Sequence, residues 1–268
     1  MSGTSFIKSR CDNQKMPQIS AIYTAPVKSF ALNKHSRVAV GYHGISEDRR
    51  FYVIDGNGQL LTQREKGELT QILANYEEDG NRLTLEFPDG NKVSSEIIRG
   101  TEIVTRIWGR QVKGQELEGD WAHHLSGFCG EQVRLVASDK PGQLYDEYPV
   151  SLLSSASLAL LQKESGWSGS FDELRFRPTL LIDDCEAHEE DSWVGKTIGI
   201  GDNLKIAVIS RDPRCAIITH DPITGVPDND TLSFIRAYRR NPGPTYFGVY
   251  GEVVQSGSVS VGTDVILL

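Results

Sequence analysis

Arg175 and Arg177 flank Phe176 just before Pro178, in a segment whose composition predicts an extended strand over residues 175–182. Alternate side chains of a strand share a face, so the two guanidiniums would sit roughly 6–7 Å apart with Phe176 turned away. That pair could grip a phosphate or another polyanion through bidentate hydrogen bonds, or it could pair locally with Asp172, Glu173, Asp183 and Asp184. Lys28 and Ser29, after Pro26-Val27, and Arg49, between Asp48 and Arg50, offer further cations and a hydroxyl. Loops and strand ends are where a scaffold presents ligand contacts, although solvated surface charge is the ordinary reading of such residues.

Cys215 follows Arg211, Pro213 and Arg214. Cationic neighbours favour a thiolate, which can serve as a soft metal ligand or a nucleophile, whereas a lone cysteine is otherwise a small buried hydrophobe. His220 lies five residues on, and in the strand expected over 215–219 that odd offset turns it to the other face, against a Cys-His pair. The acidic run 183–191 mixes Asp, Glu, His188 and Cys185 without a metal-binding spacing and reads as a solvated connection. His123 and His124 diverge by about 100° on a helix, which predicts one buried and one exposed side chain rather than zinc ligands.

The elements that would position these residues are mostly strands. Short alternating runs at residues 19–23, 37–40, 50–54, 59–62, 82–87 and 102–108 are separated by turn formers, with Asp55-Gly56-Asn57-Gly58 closing a hairpin. Residues 120–129 read as a helix stopped by Gly130, with Trp121, Leu125 and Phe128 in one stripe. A strand at 133–137 precedes a helix over 151–166, capped by Ser154 or Ser155 and ended by Gly166. Strands at 175–182, 204–210 and 215–219 lead to a helix at 231–240 after Asn229 or Asp230, with Leu232, Ile235 and Tyr238 on one stripe. Residues 246–255 and 258–268 then suggest a strand pair across Ser256-Gly257.

The 268 residues, with a net charge of −8, argue against broad binding to nucleic acid or anionic membrane. Four scattered cysteines, Cys11, Cys129, Cys185 and Cys215, form no C-x-x-C, which excludes a zinc knuckle, a thioredoxin-like pair or a cysteine-ligated iron–sulfur cluster and suits a reducing, cytoplasmic compartment. No apolar stretch has the length of a signal sequence core or bilayer span, so no membrane association is expected. The reading is a mixed α/β, strand-dominated protein: a flexible tail at 1–16, a β-barrel domain at 17–135 and a second, barrel-like domain with a few helices at 136–268.

Read together, several segments resemble the MOSC family in order along the chain. They are Pro26 to Ser29, Gly44 to Asp55, Leu61 to Arg64, Ser154 to Leu158, Arg175 to Pro178, Arg214-Cys215, Asp221 to Gly225 and Phe247 to Tyr250. The resemblance is to the branch with an N-terminal β-barrel, which includes the amidoxime-reducing components and bacterial proteins that detoxify N-hydroxylated bases, and it runs from about residue 18 to the C-terminus.

The resemblance implies that Cys215 supplies a thiolate to the molybdenum of a pterin cofactor and is the catalytic and metal-binding residue. By the same implication Lys28, Ser29, Arg49, Arg175 and Arg177 bind the molybdenum cofactor's phosphate and pterin, with Asp146 and Tyr250 nearby. The implied activity is reduction of small N-hydroxylated substrates, with electrons from a separate ferredoxin- or cytochrome-type donor and its reductase. A non-catalytic carrier of cofactor or sulfur on Cys215 is the alternative. The chain departs from the family pattern at Pro213, where relatives can carry Ser, at Thr179, where Asn is common, and in having no cysteines for a ferredoxin-like domain before it stops at Leu268.

Overall fold

The computed structural model describes residues 15–240 and 243–268. Most of the expected tail at 1–16, with Cys11, lies outside the described residues. The described chain is strand-dominated, with three α-helices. An eight-stranded sheet, a five-stranded sheet and two smaller sheets carry the rest.

All three helices form where their boundary signals stand. Helix α1 (Trp121–Cys129) ends at Gly130, whose φ of 69° is the left-handed geometry that glycine adopts without a Cβ penalty. Its Trp121 and Leu125 are buried, and Phe128 packs against the same core. Helix α2 (Ser155–Ser165) is capped by the Ser154 hydroxyl, which accepts from the Ser157 amide at 3.1 Å, and it too ends at a left-handed glycine, Gly166. Helix α3 (Thr231–Arg239) begins at Asp230, whose carboxylate accepts from the Ser233 amide at 3.2 Å. Ile235 is its buried anchor, with Leu232 and Tyr238 alongside.

Phe51–Asp55 and Leu60–Leu61 form the expected hairpin, with Asp55 Oδ1 accepting from the amides of Asn57 and Gln59. The five- and three-stranded sheets enclose one core containing Phe51, Val53, Leu69, Leu83, Leu85, Trp121 and Leu135. Each such side chain contributes roughly 1.5–3 kcal/mol on burial. The eight-stranded sheet has its own core, built on Ile19, Ile22, Leu152, Leu180, Ile198, Ile206 and Val249.

The two halves are interlocked rather than sequential. Gln18–Thr24 pairs antiparallel with Leu180–Asp183, and Arg37–Val40 pairs with Gly257–Ser260. Gln18–Thr24 and Arg37–Val40 therefore lie in sheets shared with the C-terminal half.

Several expected elements change character. The helix expected from residue 151 begins only after Ser154, because Val150–Ser154 is a wholly buried strand between Leu180–Asp183 and Tyr246–Gln255. The strand expected over 175–182 is broken: Glu173–Phe176 is a 3-10 turn, capped by the Asp172 carboxylate on the Leu174 amide at 2.8 Å, and Arg177 follows with φ 50°. Residues 216–219 are likewise a 3-10 turn, with Cys215 extended at its start, so strand alternation does not relate Cys215 to His220. The last two segments do not pair as a hairpin; Gly257–Ser260 takes Arg37–Val40 as partner, and Val265–Leu267 takes Thr197–Ile200. His123 and His124 are both exposed. The acidic run is not wholly solvated either, since Glu190 is fully buried and accepts from the Ser157 hydroxyl at 2.8 Å.

Candidate functional site

A cavity of about 320 Å³ opens where the two halves meet, and both contribute to its wall. On the N-terminal side two short segments are stitched together. The Ala25 amide donates to Asp48 Oδ1 at 2.6 Å, the Arg49 amide donates to the Ala25 carbonyl at 2.8 Å, and the Lys28 amide donates to the Phe51 carbonyl at 2.8 Å. These bonds hold Ser29 and Arg49 at φ values of 74° and 50°. Non-glycine residues adopt that region only when their surroundings impose it, and such positions cluster at ligand sites.

The cations they present are crowded. Lys28 is buried, and its ammonium donates to the Leu144 carbonyl at 2.8 Å and to Asp146 Oδ1 at 2.6 Å. Burial lowers the Lys28 pKa despite Asp146. Burial would raise Asp146, but the Lys28 ammonium and the Trp108 indole N–H, which donates at 2.9 Å, hold its carboxyl well below the usual range. Arg49 pairs with Asp48 and lies over the Tyr145 ring at 5.4 Å. Arg177 donates to the Phe30 carbonyl at 2.7 Å and has no carboxylate partner among the described residues. Burial, reinforced by repulsion from Arg49, pushes Arg177 down to about 9. Three cations thus share two carboxylates, Asp48 and Asp146, and an anionic ligand would relieve the imbalance.

The opposite wall carries Cys215, Arg214, Asp212 and Tyr250. Cys215 is exposed. The arginines expected to act on its thiol are engaged elsewhere: Arg214 donates to the carbonyls of Phe247 at 2.8 Å and Phe176 at 2.7 Å, and Arg211 lies over the Tyr246 ring. The cation beside the sulfur is Arg64, whose Nη2 lies 3.5 Å from Sγ while its guanidinium stacks 4.2 Å from the centre of the Trp108 ring.

Of the residues named from sequence, Lys28, Ser29, Arg49, Asp146, Arg177, Cys215 and Tyr250 line this one cavity. Arg175 does not. Its guanidinium makes a bidentate pair with Asp228 at 2.7 and 2.8 Å and donates to the His220 carbonyl at 2.6 Å, bracing the turn that follows Cys215. The extended spacing that paired it with Arg177 is absent. Arg64, Trp108 and Asp212 were missed as site residues. Arg64 stood in a family-like run without a role, and nothing local marks Trp108 or Asp212 as facing a cavity.

The junction is also fixed outside the cavity lining. Gln71 Nε2 donates to the Thr224 carbonyl at 2.8 Å, and the backbones of Gly67 and Gly225 touch so closely that a Cβ on Gly67 would lie 2.0 Å from the Gly225 carbonyl oxygen. Asp221 supports that loop by accepting from the Ile223 and Thr224 amides at 3.0 and 2.7 Å. Among the described residues no group of three or more His, Cys, Asp or Glu side chains could hold a metal ion. No helix among the described residues is long and apolar enough to cross a membrane.

This cavity joins two segments that match known domain families: residues 16–132 match the MOSC N-terminal beta barrel domain and residues 139–266 the MOSC domain. The chain belongs to the MOSC family. Among similar MOSC proteins, mitochondrial amidoxime reducing component 2 of Bos taurus is 27% identical over 285 residues, which cover 94% of this chain and 83% of that protein. The Homo sapiens protein of the same name is 28% identical over 290 residues, covering 94% and 84%. A molybdenum cofactor sulfurase of Drosophila yakuba is 28% identical over 251 residues, which cover 87% of this chain and 31% of that protein.

Proposed function

We propose that this MOSC protein is a molybdenum-cofactor-dependent oxidoreductase that reduces small N-hydroxylated compounds, taking electrons from a separate ferredoxin- or cytochrome-type protein. The observation that carries this reading is the cavity's charge and sulfur together: Arg177 lacks a carboxylate partner among the described residues at one side, and Cys215 is exposed at the other. Relatives named for amidoxime reduction and for molybdenum cofactor sulfuration support the choice of cofactor and reaction.

The residues fit the group. Lys28, Ser29, Arg49 and Arg177 would hold its phosphate and pterin, Asp146 would keep Lys28 oriented, and Cys215 would bind the metal as a soft thiolate. When bound, the cofactor supplies the two-electron redox chemistry that N–O cleavage needs. Arg64, stacked on Trp108, places a positive charge beside the Cys215 sulfur. Tyr148 and Tyr250, with ring centres 5.9 Å apart, give the wall an apolar surface for a small substrate.

The test is expression in a host that makes molybdenum cofactor, followed by metal and pterin analysis and by reduction of a model amidoxime with reduced methyl viologen. Stoichiometric molybdenum and pterin with formation of the amidine is the expected result. Protein purified without pterin or metal would overturn the reading. Full occupancy without turnover would favour a cofactor carrier.

A further inference from the structure

One acid in the cavity wall has no part in holding the cofactor. Asp212, near the end of the strand Leu204–Pro213, is 1% exposed yet lines the cavity. Tyr250, on the neighbouring strand Tyr246–Gln255, stands opposite Ser210 and its phenol favours the ionised form of Asp212. Arg214 Nη2 approaches Asp212 Oδ2 to 2.7 Å, but not along a hydrogen-bonding direction, so both buried atoms remain without a hydrogen-bond partner. The rest of the Arg214 guanidinium is committed to the Phe176 and Phe247 carbonyls.

A buried carboxyl so poorly compensated favours its neutral form. Burial outweighs Arg214 and Tyr250 and pushes Asp212 up to about 7, with Asp146 and Glu147, which also line the cavity, acting in the same direction as burial. Arg214, Tyr250, Asp146 and Glu147 are the groups that act on it most strongly. An acid poised near the working pH is suited to giving up a proton during a reaction.

We propose that Asp212 delivers the proton to the oxygen that leaves nitrogen, and that Tyr250 is a positioning residue orienting its carboxyl toward the cavity. The inference rests on the reductase reading. Cleavage of an N–OH group to N–H consumes two electrons and two protons. The N–O bond breaks, the hydroxyl leaves as water with the proton from Asp212, and nitrogen takes the second proton from solvent. The electrons come from the one-electron donor protein or reduced viologen, and Asp212 regains its proton from solvent at the cavity mouth.

Two measurements test this. In cofactor-free protein labelled with carboxyl-13C aspartate, NMR should show one carboxyl titrating near neutrality, and that resonance should vanish in Asp212→Asn. In protein loaded with molybdenum cofactor, turnover of a model amidoxime with reduced viologen should fall as pH rises through about 7. Asp212→Asn should lower kcat about 100-fold at unchanged molybdenum and pterin content. Tyr250→Phe should move the falling limb to higher pH, because its hydroxyl favours the ionised carboxyl, and Asp212→Glu should restore most of the rate.

The Glu and Phe variants decide the matter if the Asn variant fails to fold. Wild-type turnover with an unchanged rate and pH profile in Asp212→Asn, or a carboxyl that titrates in the ordinary acidic range, would overturn this proposal alone. Absence of wild-type turnover at full occupancy would overturn the reductase reading and this proposal with it.

Discussion

Arg64 Nη2 lies 3.5 Å from Cys215 Sγ, across 151 residues of sequence and from the opposite half of the molecule. The Trp108 ring supports the guanidinium, and the Trp108 indole N–H reaches on to Asp146 and so to Lys28. The Cys215 sulfur and the Lys28 ammonium are thereby parts of one contact chain. Arg64→Ala should lower cofactor retention about tenfold or more, as expected for loss of a charge-assisted contact of roughly 1.5–3 kcal/mol. Pterin content after gel filtration measures it, and retention equal to wild type would remove Arg64 from the site.

Cys215→Ser should abolish molybdenum-dependent turnover while leaving the fold intact, because a hard hydroxyl of similar size replaces a soft thiolate. Cys129 is the buried last residue of α1 and Cys185 packs, partly buried, against the other half's core, so serine at either should leave turnover unchanged. Activity with a chemical reductant and circular dichroism distinguish the cases.

Lys28→Ala, Arg49→Ala and Arg177→Ala should each reduce pterin occupancy, with the exposed Lys113→Ala as control. Arg175→Ala should behave differently. It strips Asp228 of a bidentate partner and should cost about 3 kcal/mol of stability, seen as a lower Tm, with any loss of cofactor following from unfolding. Equal effects on occupancy at matched stability would return Arg175 to the binding site.

Gly67→Ala should loosen the junction between the halves, because its methyl would overlap the Gly225 carbonyl. Overpacking of this kind costs roughly 1–3 kcal/mol. Thermal unfolding should shift downward, and limited proteolysis should cut faster near the junction.

Stability should also fall on acidification through His188. Burial, then the adjacent Arg239, push it down to about 4 from an ordinary value of 6.5. Below 6.5 the unfolded chain takes up a proton that the native state refuses. The stabilisation is therefore complete above 6.5 and is lost as pH falls through about 4. Its size should be about 1–3 kcal/mol after allowance for partial exposure. His188→Gln should flatten that part of the denaturant-midpoint profile, whereas Asp212, shifted upward, contributes with the opposite sign between about 4 and 7.

The sequence by itself determined the features governed by short-range sterics and local hydrogen bonds. Ser154 and Asp230 cap their helices, Gly130 and Gly166 end theirs, and Asp55 closes its hairpin, because each acts within a few residues of itself. The ordered family-like segments also named most residues that line the cavity. Tertiary structure alone decided the rest. Whether Gly257–Ser260 pairs with its neighbour or with Arg37–Val40 depends on the competition among distant sheet edges, to which local composition is blind. Arg175 and Arg177 look equivalent in sequence, but the Asp172 cap turns the backbone between them and Asp228, 53 residues away, captures one. Arg64 at Cys215 and the poorly compensated Asp212 arise only because two interlocked halves bring their side chains to a shared cleft, where burial sets the electrostatics.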